Sequence, residues 1–383
     1  MRETLSQLLL TRRVLVVVGA GGVGKTTTAA ALGVAAARRG RRVLCLTIDP
    51  AKRLAQALGL ESMSGEEQTI SPELFARAGV PLTGSLTAAM LDPSLTFDDL
   101  VKKYSSSPER ARRLLDNKLY RYVSRSLAGT QEYMAMEKLV AVEKDPRFDL
   151  IVLDTPPTAN ALDFLDAPER LVEALDSPAI RWFVDAFQST GKLSLNLLAR
   201  SAAMVLRGLG RITGGGFLDA MAQFITELYE LFGGFRERAR IVQAALRSPQ
   251  VSFVLATSPA PTSIQEVLFF SERLESSEMP RGAFVVNRFR LPPPAADDPP
   301  TPAQVAAAVA ERRLPLEDDV APRLVQAHGD ASRLAALDAM HTRGLDERVR
   351  AAVPIVRIPE LPGDVNDLEH LGRLSELLLA GGV

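Results

Sequence analysis

The chain has 383 residues, of which 46% are hydrophobic and 24% are charged, and its formal net charge is −1 at pH 7. This composition predicts a well-buried core and excludes a globally disordered chain. The net charge is near zero, whereas an excess of positive charge is typical of general nucleic-acid binding, so we expect no nucleic-acid partner.

The N-terminal segment, residues 1–13, has no apolar stretch followed by a cleavage site, so it does not resemble a signal peptide. No uncharged apolar run reaches the roughly 18–20 residues that a membrane helix needs. We therefore expect a soluble, cytoplasmic protein without stable membrane insertion.

Short, β-branched apolar runs recur along the chain, separated by helical patterns such as Lys25–Arg39 and Thr262–Leu274. Runs that are apolar on both faces are typical of parallel strands covered by helices. The alternation predicts an α/β protein with a doubly wound, mostly parallel sheet. The six predicted strands are Val14–Val18, Val43–Ile48, Leu150–Leu153, Val251–Ala256, Ala283–Val286 and Val353–Ile358.

Two longer stretches, residues 95–144 and 168–246, lack strand signals and have helical patterns. We interpret them as helical insertions that form a helical subdomain. The prediction is one domain over residues 1–383, with both insertions inside it.

A glycine-rich loop follows the first predicted strand and matches the pattern G-x-x-x-x-G-K-[ST]. Its glycines let backbone N–H groups curl around a phosphate, and the next helix directs its positive end at the same group. Lys25 is expected to neutralise phosphate oxygens, and the Thr26 hydroxyl is expected to coordinate magnesium. The predicted nucleotide-binding residues of this loop are Gly19, Ala20, Gly21, Gly22, Val23, Gly24, Lys25, Thr26 and Thr27.

The same glycines also satisfy G-x-G-x-x-G, the dinucleotide-binding fingerprint, and Asp49 ends the next strand as that fold requires. Glycine spacing alone does not separate the two interpretations. The Lys25–Thr26 pair favours the phosphate loop, because a dinucleotide-binding turn needs neither residue.

Two acidic residues follow predicted strands and complete the predicted site. Asp49 should lie near the phosphates, where a carboxylate can orient the attacking water; alternatively it caps the helix around residues 51–58. Asp154 ends the strand Leu150–Leu153, and an Asp in this place holds magnesium in phosphate-loop enzymes. We predict Lys25, Asp49 and Asp154 as catalytic residues, and Thr26, Asp49 and Asp154 as the magnesium site.

Several segments together resemble one family, the arsenite-pump and guided-entry (tail-anchored protein targeting) ATPases. They are GAGGVGKTT, TIDPAKRL, DTPPTANALDFL, VLATSPAPTSIQEV, AFVVNRF and VPIVRIPELPGDVNDLEHL. The resemblance spans nearly the whole chain, and this family belongs to the wider group of dimeric phosphate-loop ATPases that includes MinD and ParA.

The resemblance implies an ATPase that uses ATP and Mg²⁺ and closes as a dimer, with an identical subunit or with a related ATPase. Asp49 resembles the water-positioning acid of the first switch, and Asp154 begins the second. Asn287 resembles the asparagine that reads adenine, although a simple turn residue is the alternative. Pro359 and Leu361 are expected to line the base.

Three departures from the family pattern change the expectation. The signature lysine of the loop is replaced by Ala20, which puts the usual contact across the dimer in doubt; a partner chain's lysine, or Arg53, could substitute. Arsenite binding needs several thiolates, and Cys45 is the single cysteine, so we reject arsenite transport. No CxxC zinc clasp exists, so any dimer is held by other contacts.

The stretch from residue 178 to residue 234 is poor in charge and rich in apolar residues. It could form a groove for a hydrophobic client helix, or it could only pack the helical subdomain. An alternative function is a positioning ATPase like ParA or MinD. Such proteins use a basic amphipathic helix as a membrane anchor, whereas the C-terminal segment Asp364–Ala380 is acidic on balance, which does not favour this function. A dinucleotide-dependent oxidoreductase would rest on the glycine overlap alone.

Overall fold

In a computed structural model of the chain, the described residues are 3–48, 53–60, 63, 66–117, 120, 130–155, 173, 178, 224, 237–294, 298–313, 319–349 and 353–382. They form a sheet of eight strands flanked by helices. Among these residues, no helix combines the length and apolar character that crossing a membrane requires.

The sheet has the strand order β3-β4-β2-β5-β1-β6-β7-β8. All neighbours are parallel except the edge pair of β3 and β4, which is antiparallel. The strands are β1 (Val14–Gly19), β2 (Arg42–Thr47), β3 (Gln68–Thr69), β4 (Ser85–Met90), β5 (Leu150–Asp154), β6 (Val251–Thr257), β7 (Arg281–Phe289) and β8 (Ile355–Pro359).

Helices cover both faces of this sheet. They are α1 (Leu5–Thr11), α2 (Lys25–Ala37), α3 (Arg53–Ala57), α4 (Pro72–Arg77), α5 (Pro93–Tyr104), α6 (Pro108–Asp116), α7 (Thr130–Glu143), α8 (Pro261–Ser276), α9 (Pro302–Glu311), α10 (Val320–Val349) and α11 (Leu368–Ala380). Residues 237–246 are also helical.

Alternating residues of β1 belong to two different cores. Leu15 and Val17 pack with α1, α2 and α11 on one face. Val14, Val16 and Val18 pack with α7, α8 and α10 on the other face. Because successive strand side chains point to opposite faces, a strand buried on both sides must be apolar throughout. The doubly wound, mostly parallel α/β fold is thereby confirmed.

The six predicted strands match β1, β2 and β5–β8, with ends that differ by a few residues. Strands β3 and β4 were not predicted from the sequence. The polar Ser85 and Thr87 interrupt the apolar run of β4, and both residues of β3 are exposed at the sheet edge. Tertiary pairing with β2, which no local pattern encodes, places β4 in the sheet.

The described residues within the first predicted insertion form α5, α6 and α7. These helices share a third, smaller core around Val101, Leu114, Tyr133 and Met134. Most of the second insertion, including nearly all of the charge-poor stretch, lies outside the described residues. The division into one domain with a helical subdomain therefore stays a prediction.

Candidate active site

The loop between β1 and α2 depends on glycine at two positions. Gly24 precedes α2 with φ 93°, and a Cβ there would lie 2.3 Å from Nδ2 of Asn287. A Cβ on Gly19 would lie 2.0 Å from the carbonyl oxygen of Ala256 on β6. A side chain at either position would clash with the neighbouring strand's residue, so the loop can approach β6 and β7 only because these residues are glycine.

The first turn of α2 has donors available for an anion. Its N-cap is Gly24, which has no side chain to bond with the first-turn N–H groups. These groups and the helix dipole make the helix start a site for negative charge. Thr26 and Thr27 lie half-buried in this turn.

Lys25 begins α2 but is buried, with an exposed fraction of 6%. Its Nζ donates a hydrogen bond to the carbonyl oxygen of Ala20, 2.8 Å away. The ammonium group is therefore held inside the curve of the loop, where a phosphate would have to bind. A buried cation is stabilised by an anionic ligand, which supports the role predicted for Lys25.

Asp154 is the last residue of β5 and is buried between two neighbouring strands. It is paired in register with Val17 of β1 and with Thr47 of β2. Its Oδ2 accepts a hydrogen bond from the Thr47 hydroxyl at 3.0 Å. The next residue, Thr155, donates its hydroxyl hydrogen to the Val17 carbonyl oxygen at 2.8 Å. The strand end is thus fixed beside the start of the phosphate loop.

A cavity of about 960 Å³ opens beside the loop. One part of its wall is formed by Gly22, Gly24, Lys25, Thr26, Thr27 and Thr155. Residues from β7, β8 and the following segment form another part, among them Asn287, Pro359 and Leu361. The structure therefore brings the predicted base-site residues and the predicted phosphate loop onto one cavity, although they are far apart in the sequence.

Asn287 lies against the loop itself. Its Nδ2 donates a hydrogen bond to the carbonyl oxygen of Val23 at 3.0 Å. An asparagine amide has two donor hydrogens and a carbonyl acceptor, so this bond leaves a donor and an acceptor for a ligand. The position of Asn287 suits both a structural contact with the loop and hydrogen bonding to the edge of a nucleotide base.

Several residues of the cavity wall were not predicted from the sequence. They are Gln56 and Ala57 of α3, Arg288 of β7, Leu374 of α11, and Glu360 with residues 362–366 after β8. The available signal was the polar and glycine-containing segment that directly follows the predicted strand Val353–Ile358. Such a segment lies at the carboxyl edge of a parallel sheet, where α/β proteins bind ligands.

Some predicted residues lie outside the described part of the chain. Asp49, which was predicted as a catalytic residue and a magnesium ligand, is among them. Within the described ranges, no group of three or more His, Cys, Asp or Glu side chains could hold a metal. Magnesium bound to a nucleotide needs only one or two protein carboxylates, because phosphates and water supply the other ligands.

The residues present fit a nucleotide with magnesium. Gly19 and Gly24 allow the loop to pack closely on β6 and β7, where any Cβ would clash, and Lys25 places a cation inside the curve of the loop. Thr26 and Asp154 offer a hydroxyl and a carboxylate, the hard oxygen ligands that magnesium prefers. The cavity volume of about 960 Å³ is also at the upper end of the ~300–1,000 Å³ typical of small-molecule sites.

Cys45 has no part in this site. It is buried in β2, and burial raises the pKa of its thiol to about 12. A thiol that stays protonated is a poor nucleophile and a poor metal ligand. Burial and a raised pKa are the properties of a packing residue.

Comparisons with known proteins agree with this geometry. A sequence model of the anion-transporting ATPase family matches residues 12–307. The chain is 26% identical over 299 residues to the ATPase GET3 of Phaeosphaeria nodorum, covering 76% of this chain and 82% of that protein. It is 26% identical over 280 residues to the ATPase GET3 of Malassezia globosa, with 72% of each chain covered. The ATPase GET3 of Rhodotorula glutinis is 28% identical over 260 residues, covering 67% of this chain and 62% of that protein.

Proposed function

Because this chain belongs to the anion-transporting ATPase family and is an ATP-hydrolysing enzyme, we propose that magnesium-dependent ATP hydrolysis drives the closure of a dimer that binds a client protein. One observation carries the nucleotide part of this proposal. The cavity beside the phosphate loop is also lined by Asn287, Pro359 and Leu361, so one ligand with a phosphate end and a base end can span it.

The phosphate end of ATP binds at the start of α2. The first-turn N–H groups of α2 donate to phosphate oxygens, and Lys25 neutralises their charge from inside the loop. The base end lies against Pro359 and Leu361, with the Asn287 amide at the base edge. Apolar contact and an amide edge together suit adenine.

Magnesium, when bound, supplies positive charge that stabilises the developing charge on the transferred phosphate. The Thr26 hydroxyl and the Asp154 carboxylate hold it. Thr47 fixes the Asp154 carboxylate by donating to its Oδ2 at 3.0 Å. Asp49 positions the attacking water, which is the role that the family resemblance implies for it.

The dimer requires a cation that this chain lacks in the usual place. Ala20 stands where the wider group has its signature lysine. An identical partner would also carry alanine there, so a homodimer must use another cation such as Arg53. A heterodimer with a related ATPase could supply the lysine itself. Both forms remain part of the proposal.

The client proposed for the closed dimer is an apolar helix. Its support is the charge-poor sequence from residue 178 to residue 234, together with the family resemblance. Two such surfaces brought together by ATP would form an apolar groove, the surface to which a hydrophobic helix binds. The proposed location is the cytoplasm.

The proposal is tested by co-purification from native cells with a hydrolysis trap. Asp49→Asn should bind ATP, stay closed and retain both the partner subunit and the client. Lys25→Ala, which should not bind ATP, is the matched control. Mass determination of the complex distinguishes a homodimer from a heterodimer, and added ADP should release the client from the wild-type protein.

A second measurement tests the client class directly. A peptide with a hydrophobic tail should bind more tightly when a non-hydrolysable ATP analogue replaces ADP. Equal binding with the two nucleotides would contradict the groove, and a strictly monomeric protein with the ATP analogue would contradict closure.

A further inference from the structure

Arg288 has an unusual backbone conformation within β7. Its φ is 57°, in the left-handed region that residues other than glycine seldom adopt. The register of β7 against β8 shifts between Val286, which pairs with Arg357, and Phe289, which pairs with Pro359. One extra residue of β7 therefore lies between these pairs, which is a β-bulge, and bulges redirect side chains next to functional sites.

The residues on either side hold Arg288 in this conformation. Before it, the Asn287 amide is bonded to Val23 of the phosphate loop at 3.0 Å. After it, the Phe289 carbonyl oxygen accepts the Glu360 N–H at 3.0 Å. The Arg290 N–H then donates to the buried carboxylate of Asp338 at 2.9 Å. These bonds on both sides stabilise a backbone conformation that is unfavourable for arginine by itself.

Arg288 lies in this bulge, is exposed and belongs to the wall of the cavity beside the phosphate loop. No hydrogen bond or ion pair joins that side chain to another residue in the part of the chain that the structure describes. Its neighbour Arg290, in contrast, is paired with both Asp338 and Glu360. Arg288 therefore places an exposed arginine in the wall of the cavity that a ligand would fill.

We propose that the Arg288 guanidinium binds the face of the adenine ring, as a base-contacting residue of the ATP site. This inference rests on the proposed function. Arg288 follows Asn287 directly and shares the cavity wall with Pro359 and Leu361, whereas Lys25 and the start of α2 supply positive charge at the phosphates. A planar guanidinium stacks on aromatic rings, which a lysine ammonium does much less well.

The test compares affinity and stability in the same variants. Arg288→Gly should weaken ATP binding about tenfold, because the stacking contact is lost. The same change should raise Tm, because glycine adopts φ 57° without strain. Arg288→Lys should show most of the same loss of ATP affinity, although it keeps the positive charge. Isothermal titration with inorganic triphosphate and magnesium should give the wild-type affinity in both variants.

Arg313→Gly is the matched control. Arg313 also has a left-handed backbone, with φ 51°, and is exposed just after α9, but it does not line the cavity. This variant should gain thermal stability like Arg288→Gly while its ATP affinity stays unchanged. The comparison separates the backbone effect from the ligand contact.

Three results would overturn the proposal. Unchanged ATP affinity in Arg288→Gly would mean that Arg288 does not contact the adenine ring. An equal loss of affinity for inorganic triphosphate would mean that Arg288 contacts the phosphates instead. In either case, ATP binding by the wild-type protein would mean that the proposed function is not contradicted. A wild-type protein that does not bind ATP would overturn the proposed function and this inference together.

Discussion

The side-chain amide of Asn287 donates a hydrogen bond to the backbone carbonyl of Val23 at 3.0 Å, which joins the end of β7 to the phosphate loop. The two residues are 264 positions apart in the chain. The same asparagine lines the cavity. A ligand that forms hydrogen bonds with the other N–H or the carbonyl oxygen of its side-chain amide would therefore also fix the position of the loop.

Replacing Asn287 should therefore weaken ATP binding and stability together. Asn287→Ala removes a hydrogen bond at a half-buried position, which costs about 1 kcal/mol of the free energy of unfolding. ATP affinity should fall as well, because the loop and the base edge both lose a contact. Urea unfolding and calorimetric titration with ATP measure the two effects.

Asn366→Ala is a suitable control for that experiment. Asn366 lies in the same cavity wall but is exposed, so its loss should leave the free energy of unfolding near the wild-type value. If Asn287→Ala binds ATP as the wild type does, the amide has only a structural role.

Lys25→Ala should abolish ATP turnover, with a fall in rate of about a hundredfold or more. The ammonium group that the variant lacks is buried against the Ala20 carbonyl, inside the loop that would surround the phosphates. Release of inorganic phosphate measures the rate, and circular dichroism confirms that the variant is folded. A folded Lys25→Ala protein with wild-type turnover would remove Lys25 from the mechanism.

Gly24→Ala should destabilise the fold by more than about 1 kcal/mol. The new methyl group would lie 2.3 Å from Nδ2 of Asn287, on a backbone with φ 93°. Gly21→Ala is the matched control for stability, because a Cβ at that position meets no atom within 4 Å. Thermal unfolding distinguishes the two, and equal Tm values would contradict the close packing of the loop on β7.

Thr47→Val tests how Asp154 is positioned. Valine has nearly the shape of threonine but cannot donate to Oδ2 of Asp154, a bond of 3.0 Å in the structure. We expect the magnesium concentration for half-maximal ATPase activity to rise about fivefold. A hydrogen bond to a carboxylate contributes ~1.5–3 kcal/mol, and rearrangement of the neighbouring groups recovers part of this free energy in the variant. The same measurement at saturating magnesium should give a rate close to that of the wild type.

A failure of Thr47→Val to change the magnesium requirement would mean that the Thr47 hydroxyl does not position Asp154 for the ion. Asp154→Asn provides the stronger variant of the same test, and it should lose activity at all magnesium concentrations.

Acid should destabilise the sheet through Asp149, at the end of β5 that is remote from the site. Asp149 accepts hydrogen bonds from the Arg42 guanidinium and from the Arg42 N–H, and chiefly for this reason its pKa falls to about 2. A carboxylate whose pKa is lowered by folding stabilises the protein fully above its unfolded pKa of about 4, and this contribution is lost as the pH falls toward 2.

Asp149→Asn should therefore be less stable than the wild type at pH 7, and the difference should shrink as the pH falls from about 4 toward 2. Urea unfolding at several pH values measures this difference. A difference that is constant from pH 7 to pH 3 would show that the Arg42–Asp149 pair does not titrate as proposed.

The strongly apolar strands could be predicted from the sequence because burial on both faces leaves a continuous local signal. The run Val14–Val18 is an example, since every residue of it is buried. β4 was missed because its Ser85 and Thr87 are accommodated by pairing with β2 and β3, which is a tertiary effect. The antiparallel edge strand β3 is too short to leave a pattern.

By itself the sequence determined the phosphate loop, because the groups that would bind the phosphates are contiguous and the requirement for glycine, lysine and threonine is local. It also determined that Asp154 ends a buried strand. Only the tertiary structure decided that β5 lies beside β1, that Asn287 contacts Val23, and that Arg288, which lies in a bulge, lines the cavity with Asn287. These relations depend on strand order and register, which arise from packing between segments that are distant in the chain.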